Sequence, residues 1–179
     1  ASYPKFASAA GTPQSAKGGT GYFRVETQGH RCWFVAPDGG LFFAIGADHI
    51  NYYKHFCEKL GYAPYQRSVE KLYGSPAKWV DSTLERLRQW GFNMLGAGGS
   101  PELQQRGMPH TESLALGSRF AARSSLVGQG GNGFPNVFDP AWQSFCRYQA
   151  RKLCSRNAAN PWLLGYFIDN ELEWFGRAA

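Results

Sequence analysis

The run Trp162-Leu163-Leu164-Gly165-Tyr166-Phe167-Ile168, followed at once by Asp169-Asn170-Glu171, constrains this chain more than any other stretch. An unbroken apolar run that opens after Pro161 and closes on three polar side chains fits a parallel strand covered on both faces better than a half-exposed one. Parallel strands need crossover connections, and in barrels of alternating strands and helices the chemistry sits where the strands end. Asn170 and Glu171 are thereby expected at the rim of a catalytic face. Asp169 is expected to support its neighbours rather than touch substrate.

Upstream, the pattern supplies partners for that strand. Tyr22-Phe23-Arg24-Val25-Glu26-Thr27 and Cys32-Trp33-Phe34-Val35 flank Gln28-Gly29-His30, which predicts a hairpin over 21–40 turned at Gly29. After the turn Pro37-Asp38-Gly39-Gly40, the run 41–47 is predicted as the first strand of the parallel sheet, ending at Asp48 and His49 on the same rim as Glu171. Ser75-Pro76 is a helix start, with Val80, Leu84 and Leu87 at helical spacing until Gly91. A strand follows at 92–97 and a short helix at 101–106, then a weaker strand at 111–116. Asp139-Pro140 opens a helix striped with Trp142, Phe145, Cys146 and Leu153, and the last strand spans 162–169. Strand, helix, strand, helix, strand, helix, strand implies right-handed crossovers. The fold class is α/β: half of a (β/α)8 TIM barrel, four parallel strands preceded by a β-hairpin, with a small open four-stranded sheet as the alternative.

Composition removes several functions. With 179 residues the chain falls short of the roughly 250 of a complete eight-stranded barrel. It has no apolar stretch of about 18 residues to span a membrane. The net charge of +6 comes from Lys and Arg scattered from Lys5 to Arg177, which argues against a nucleic-acid stripe. His30, His49, His55 and His110 form no His-x-x-x-His or His-x-His pair, and Cys32, Cys57, Cys146 and Cys154 form no Cys-x-x-Cys pair. No metal or other cofactor is expected, and the cysteines are expected to be buried free thiols. Residues 1–20, rich in Ala, Ser, Gly and Pro, read as an arm or linker rather than a signal peptide. The segment 127–133 lacks the Lys-Ser/Thr of a phosphate loop and reads as a mobile rim loop, and Glu112 as a solvated or hydrogen-bonded carboxylate.

Gly165-Tyr166-Phe167-Ile168-Asp169-Asn170-Glu171, with Trp33-Phe34-Val35-Ala36-Pro37-Asp38-Gly39 and Trp90-Gly91-Phe92-Asn93, resembles an agarase-type glycoside hydrolase of the large (β/α)8-barrel clan. The resemblance runs from about Tyr22 onward and corresponds to the N-terminal half of the catalytic barrel. It implies that Glu171 is the general acid and base and that Asn170 holds a sugar hydroxyl. Asp48, His49 and Asn51 are then candidates for sugar contacts at the end of the first strand, and Trp174 for one edge of a sugar site. It further implies a galactan substrate such as agarose and an exported bacterial protein. Retaining glycosidases need two carboxyl groups about 5 to 5.5 Å apart, and the family's nucleophile comes from a seventh strand, beyond the four expected here. A carboxyl group in a partly dry cleft lined by Trp162, Tyr166 or Trp174 would hold its proton more tightly, which suits the acid role.

Half a barrel leaves its first and fourth strands unpaired at their outer edges. A twofold axis along the barrel would set the fourth strand of one copy beside the first of another, so a homodimer completing eight strands is the expected assembly. The competing function is a carbohydrate-binding or structural module without turnover.

Overall fold

Gly29 takes φ +61 and, with His30, makes the two-residue loop that joins β1 (Arg24–Gln28) to β2 (Arg31–Val35). A positive φ at such a position matches the right-handed twist of the flanking strands. The register runs from Arg24 opposite Val35 to Gln28 opposite Arg31. In this computed structural model, residues 15, 17–53, 55–104, 106–127 and 133–173 are described. Most of the expected arm 1–20, the glycines and neighbours at 128–132, and Trp174 lie outside them.

The run 41–47 behaves differently from expectation. β3 (Leu41–Phe42) folds back antiparallel on β2, with Phe42 opposite Phe34, and only β4 (Gly46–Ala47) joins the parallel sheet. Asn93 explains the division: its Oδ1 accepts the Ile45 N–H at 2.8 Å while its Nδ2 donates to the Phe43 carbonyl at 2.8 Å. One side chain thereby occupies the backbone groups of the segment between the two short strands, so the apolar run serves two sheets.

Two helices follow. α1 (Pro64–Tyr73) begins on a proline and ends at Gly74, whose φ of +71 closes it. α2 (Pro76–Gln89) starts where Ser75-Pro76 predicts it, with the Ser75 hydroxyl accepting the Lys78 N–H at 3.3 Å. At its far end Phe92 N–H donates to the Leu87 carbonyl at 2.9 Å and Gly91 N–H to that of Arg88 at 3.0 Å, with Gly91 at φ +84. This pair of bonds satisfies carbonyls that the helix leaves open, and it requires the left-handed glycine.

β5 (Met94–Leu95) pairs parallel with β4, and β6 (His110–Ser113) pairs parallel with β5 through Leu95 and His110. The short helical turn expected over 101–106 is a 3-10 helix over Pro101–Leu103. α3 (Leu116–Ala121), an antiparallel pair β7 (Ser125–Val127) and β8 (Phe134–Pro135), and α4 (Trp142–Cys154) lead to β9 (Leu163–Phe167). The second sheet has the order β4-β5-β6-β9. His110 N–H donates to the Trp162 carbonyl and Leu114 N–H to that of Phe167, so partners advance together along both strands and β9 runs parallel to β6.

The chain divides into two compact units, Ala1–Thr111 with Asn160–Gly165, and Glu112–Ala159 with Tyr166–Ala179. In the first, neighbouring residues of β5 serve opposite layers, as alternation along a strand requires. Leu95 packs with Trp79, Val80, Leu84 and Leu87 of α2, whereas Met94 packs with Phe42 of the hairpin sheet and with Trp162 and Leu164. In the second, Phe120 of α3 is buried between Trp142 and Phe145 of α4, with ring centroids 5.2 and 5.1 Å away. Trp142, Phe145, Cys146 and Leu153 lie on α4 as the stripe predicts, with Phe145 buried and the other three half-buried.

The cysteines are free, but the expectation that they are buried is wrong. Cys32 faces out from β2 and is exposed, and Cys57, Cys146 and Cys154 are half-buried. Cys32 sits opposite Thr27, whose hydroxyl lies 3.5 Å from its sulfur, on a hairpin that carries few buried residues among those described. Among the described residues no helix is long and apolar enough to cross a membrane.

Candidate functional site

Asp169, the first polar residue after β9, fixes the segment that follows it. Its Oδ2 accepts the Gly117 N–H at 2.6 Å and its Oδ1 the Ser118 N–H at 2.9 Å. These N–H groups belong to the first turn of α3, where intrahelical acceptors are missing and a carboxylate is favoured by the helix field. The backbone is bonded beside them, Leu116 N–H donating to the Ile168 carbonyl at 3.0 Å. Gly117 permits the approach, because a Cβ there would stand 2.8 Å from Asp169 Oδ2 and 3.1 Å from Leu172 Cδ1. The supporting role expected of Asp169 thus has named partners.

Asn170 and Glu171 come immediately after this anchor and are exposed. Glu171 takes φ +49, the left-handed region that a residue with a Cβ adopts at a cost of about 1 kcal/mol or more. Such backbone strain persists only where the surroundings impose it, and it recurs at functional positions. The partly dry cleft expected around Glu171 is not what the described residues provide, since the side chain is open to solvent.

In the same unit the structure assembles a polar group the sequence did not single out as a whole. Buried Asn157 donates from Nδ2 to Glu112 Oε2 at 2.9 Å and to the Tyr166 hydroxyl at 3.3 Å. Burial pushes the Tyr166 phenol up, the Asn157 hydrogen bond acts against this, and Cys154 and the Glu112 charge add to the rise. Glu112 is therefore the hydrogen-bonded carboxylate anticipated for it. The Cys146 thiol is likewise raised, by burial first and then by the Asp169 charge.

In the first unit, Asp48, His49 and Asn51 lie together where β4 ends. Asp48 Oδ1 accepts the Ala97 N–H at 2.9 Å, His49 N–H donates to the Ala97 carbonyl at 2.8 Å, and Asn51 Nδ2 donates to the Gly98 carbonyl at 2.7 Å. Gly96 leaves no room for a side chain beside the Asp48 carboxylate, and a Cβ on Gly98 would come 3.0 Å from His49 Cδ2. Tyr52 N–H donating to Ser100 Oγ at 2.9 Å continues the stitching. All three residues shape the loop, yet Asp48 and His49 are exposed and present polar atoms to solvent. Trp174 lies outside the described residues. Among the described residues no group of three or more His, Cys, Asp or Glu is placed to hold a metal ion.

No family model matches the chain. Two curated relatives do. β-Agarase B of Vibrio sp. strain JT0107 is 25% identical over 87% of this chain and 22% of its own length, and β-agarase A of the same strain is 29% identical over 62% of this chain and 12% of its own. Solved structures share the fold: an agarase at 23% identity and TM-score 0.69, covering 92% of this chain and 31% of its own, and an exo-β-agarase at 20% identity and TM-score 0.68, covering 93% and 33%. Over most of its length the chain is thus similar to agarase-type glycoside hydrolases, and it spans about a fifth of the first curated relative.

Proposed function

We propose that this chain is a glycoside-hydrolase-like, β-agarase-like half-barrel that carries the acid/base side of a galactan-cleaving site. In this proposal the four-stranded sheet is half of an eight-stranded barrel. Glu171 delivers a proton to the leaving glycosidic oxygen and later draws one from the incoming water, while Asn170 holds a sugar hydroxyl. Asp48, His49, Asn51 and Trp174 supply further sugar contacts. The observation that carries the reading is the anchored strand end: Asp169 clamped on Gly117 and Ser118, followed by Glu171 in a left-handed conformation. That arrangement holds a carboxyl group at the end of a parallel strand, where barrel chemistry takes place.

A retaining reaction needs a second carboxyl group about 5 to 5.5 Å from the first. The resemblance assigns it to a seventh strand, and the described parallel sheet has four. The chain alone is therefore expected to bind without turnover. Among the described residues β4 and β9 are the outer strands of the parallel sheet, and two copies related by a twofold axis would close them into eight strands. The second reading, a sugar-binding or structural module with no catalytic part, draws on the exposure of Glu171.

Reducing-end release from agarose, measured alongside calorimetric binding of an agarose oligosaccharide, tests the proposal. Saturable binding without release, weakened by Asn170→Ala, is expected. Release abolished by Glu171→Gln would overturn the inactivity, and absence of binding would overturn the sugar site.

A further inference from the structure

The loop between β4 and α1 and the outer face of α1 carry chemistry that the proposed rim residues do not use. The Cys57 N–H donates to the Tyr62 carbonyl at 3.0 Å, and Gly61, at φ +68, closes the turn between them, which fixes Tyr62 at the helix entrance. Val69 and Tyr73 turn one side of α1 toward the core cluster of α2. Pro64, Arg67, Ser68 and Lys71, at i, i+3, i+4 and i+7, consequently share the outward side. With Tyr62 they line a groove of about 400 Å3, and Arg67 and Tyr62 also line a neighbouring one of about 380 Å3 with Phe56, Gln66 and Glu70. Both volumes fall at the lower end of the range for small-ligand sites.

The donor set is selective. The Arg67 guanidinium lies over the Tyr62 ring, 4.7 Å from its centroid. Stacking uses the flat face of a guanidinium and leaves its in-plane N–H donors aimed outward, the geometry that matches an anion. Neither Arg67 nor Lys71 has an ion-pair partner among the described residues, where the ion pairs are Arg24 with Glu26 and Arg106 with Asp81. In the second groove the Glu70 carboxylate balances the Arg67 cation. Gln66 Nε2 donates to Glu70 Oε1 at 2.8 Å, which leaves the other carboxylate oxygen as an acceptor beside the exposed ring of Phe56. The Ser68 hydroxyl already donates to the Pro64 carbonyl at 3.0 Å and offers lone pairs to a sugar hydroxyl.

We propose that these adjoining grooves form a second saccharide site, selective for a sugar chain bearing an acid group. Arg67 and Lys71 hold the acid group, a sulfate ester or a uronate carboxylate. A neighbouring ring stacks on Phe56, beside the Tyr62 ring that Arg67 covers, and bonds Gln66 and Glu70. An aromatic face with two cations on one side and an amide and a carboxylate on the other fits an alternating anionic and neutral sugar better than a bare anion, which would use only Arg67 and Lys71.

Calorimetry on the 179-residue protein separates the outcomes. The probes are a sulfated galactan tetrasaccharide, an oligogalacturonate, a neutral agarose tetrasaccharide, sodium sulfate and a DNA duplex. At least one anionic oligosaccharide is expected to bind about tenfold or more tighter than the neutral one, with affinity that falls as salt rises. The tighter of the two identifies the acid group. The variant Arg67→Gln/Lys71→Gln, changed only at exposed positions, should lose that preference while keeping its circular dichroism and any binding of the neutral oligosaccharide. Equal affinity for the neutral sugar, for sulfate alone or for DNA, or a preference that survives in the double variant, would overturn the assignment. Because the neutral oligosaccharide reports on the rim residues, failure here and failure of the rim site give different patterns.

Discussion

Replacing Asp169 by alanine removes the acceptors of two N–H groups, those of Gly117 at 2.6 Å and Ser118 at 2.9 Å, at the start of α3. Hydrogen bonds to a charged group contribute about 1.5–3 kcal/mol each when shielded, and a lost helix cap costs about 0.5–2 kcal/mol. Both bonds are part-buried, so water recovers some of the loss and a total of about 2–3 kcal/mol is expected. Asparagine keeps one uncharged acceptor oxygen and should cost about half as much. Urea unfolding followed by tryptophan fluorescence reads this directly, since the chain has six Trp. With a slope of about 2 kcal/mol per molar urea, Asp169→Ala should lower the midpoint by about 1 M. Gly117→Ala forces a Cβ to within 2.8 Å of the same carboxylate. The two substitutions should therefore be less than additive, because displacing the carboxylate and deleting it break the same bonds. An Asp169→Ala midpoint within about 0.2 M of wild type, or strict additivity with Gly117→Ala, would refute the anchor.

Three further outcomes follow from the geometry. Ser75→Ala deletes the cap on Lys78 N–H and should cost about 1 kcal/mol in the same assay, whereas Ser75→Asp should be nearly neutral. The Ser15 hydroxyl and then the Arg24 guanidinium hold the Glu26 carboxyl below its ordinary 4.5. The associated stability is present above 4.5 and lost as pH falls through the lowered folded-state value, so wild type should exceed Glu26→Gln in stability at pH 6 and the difference should shrink below 4.5. Exposed Cys32 should react first with a disulfide reagent at pH 8, and Cys146, half-buried with its thiol raised, slowly, so that Cys32→Ser removes the fast phase.

Local signals in the sequence carried much of the fold. Ser75-Pro76 and Gly91 frame α2 because capping is decided within a few residues. The apolar run before Asp169 yields β9, but the covering expected on both faces is not there: Leu163, Leu164, Gly165 and Tyr166 are half-buried, and Phe167 and Ile168 are exposed. The division of 41–47 was invisible because Asn93, about 50 residues away, ties up the backbone at Phe43 and Ile45. α1 was missed although Pro64 and Gly74 mark its ends and Val69 and Tyr73, at helical spacing, pack against the core cluster of α2; none of its residues is fully buried. At the candidate site the pair Asn170-Glu171 was legible as a strand end. The partners of Asp169, 51 and 52 residues distant, and the left-handed turn at Glu171 exist only after folding.

Molar mass in solution, measured by light scattering over a concentration series, tests most directly whether this sheet is half of a barrel closed by a second copy. A stable species at twice the 19.9 kDa of one chain is expected, because in the proposed dimer β4 and β9, the outer strands of the described sheet, each gain a parallel neighbour from the second copy. A well-folded species that stays at 19.9 kDa at all concentrations would contradict it.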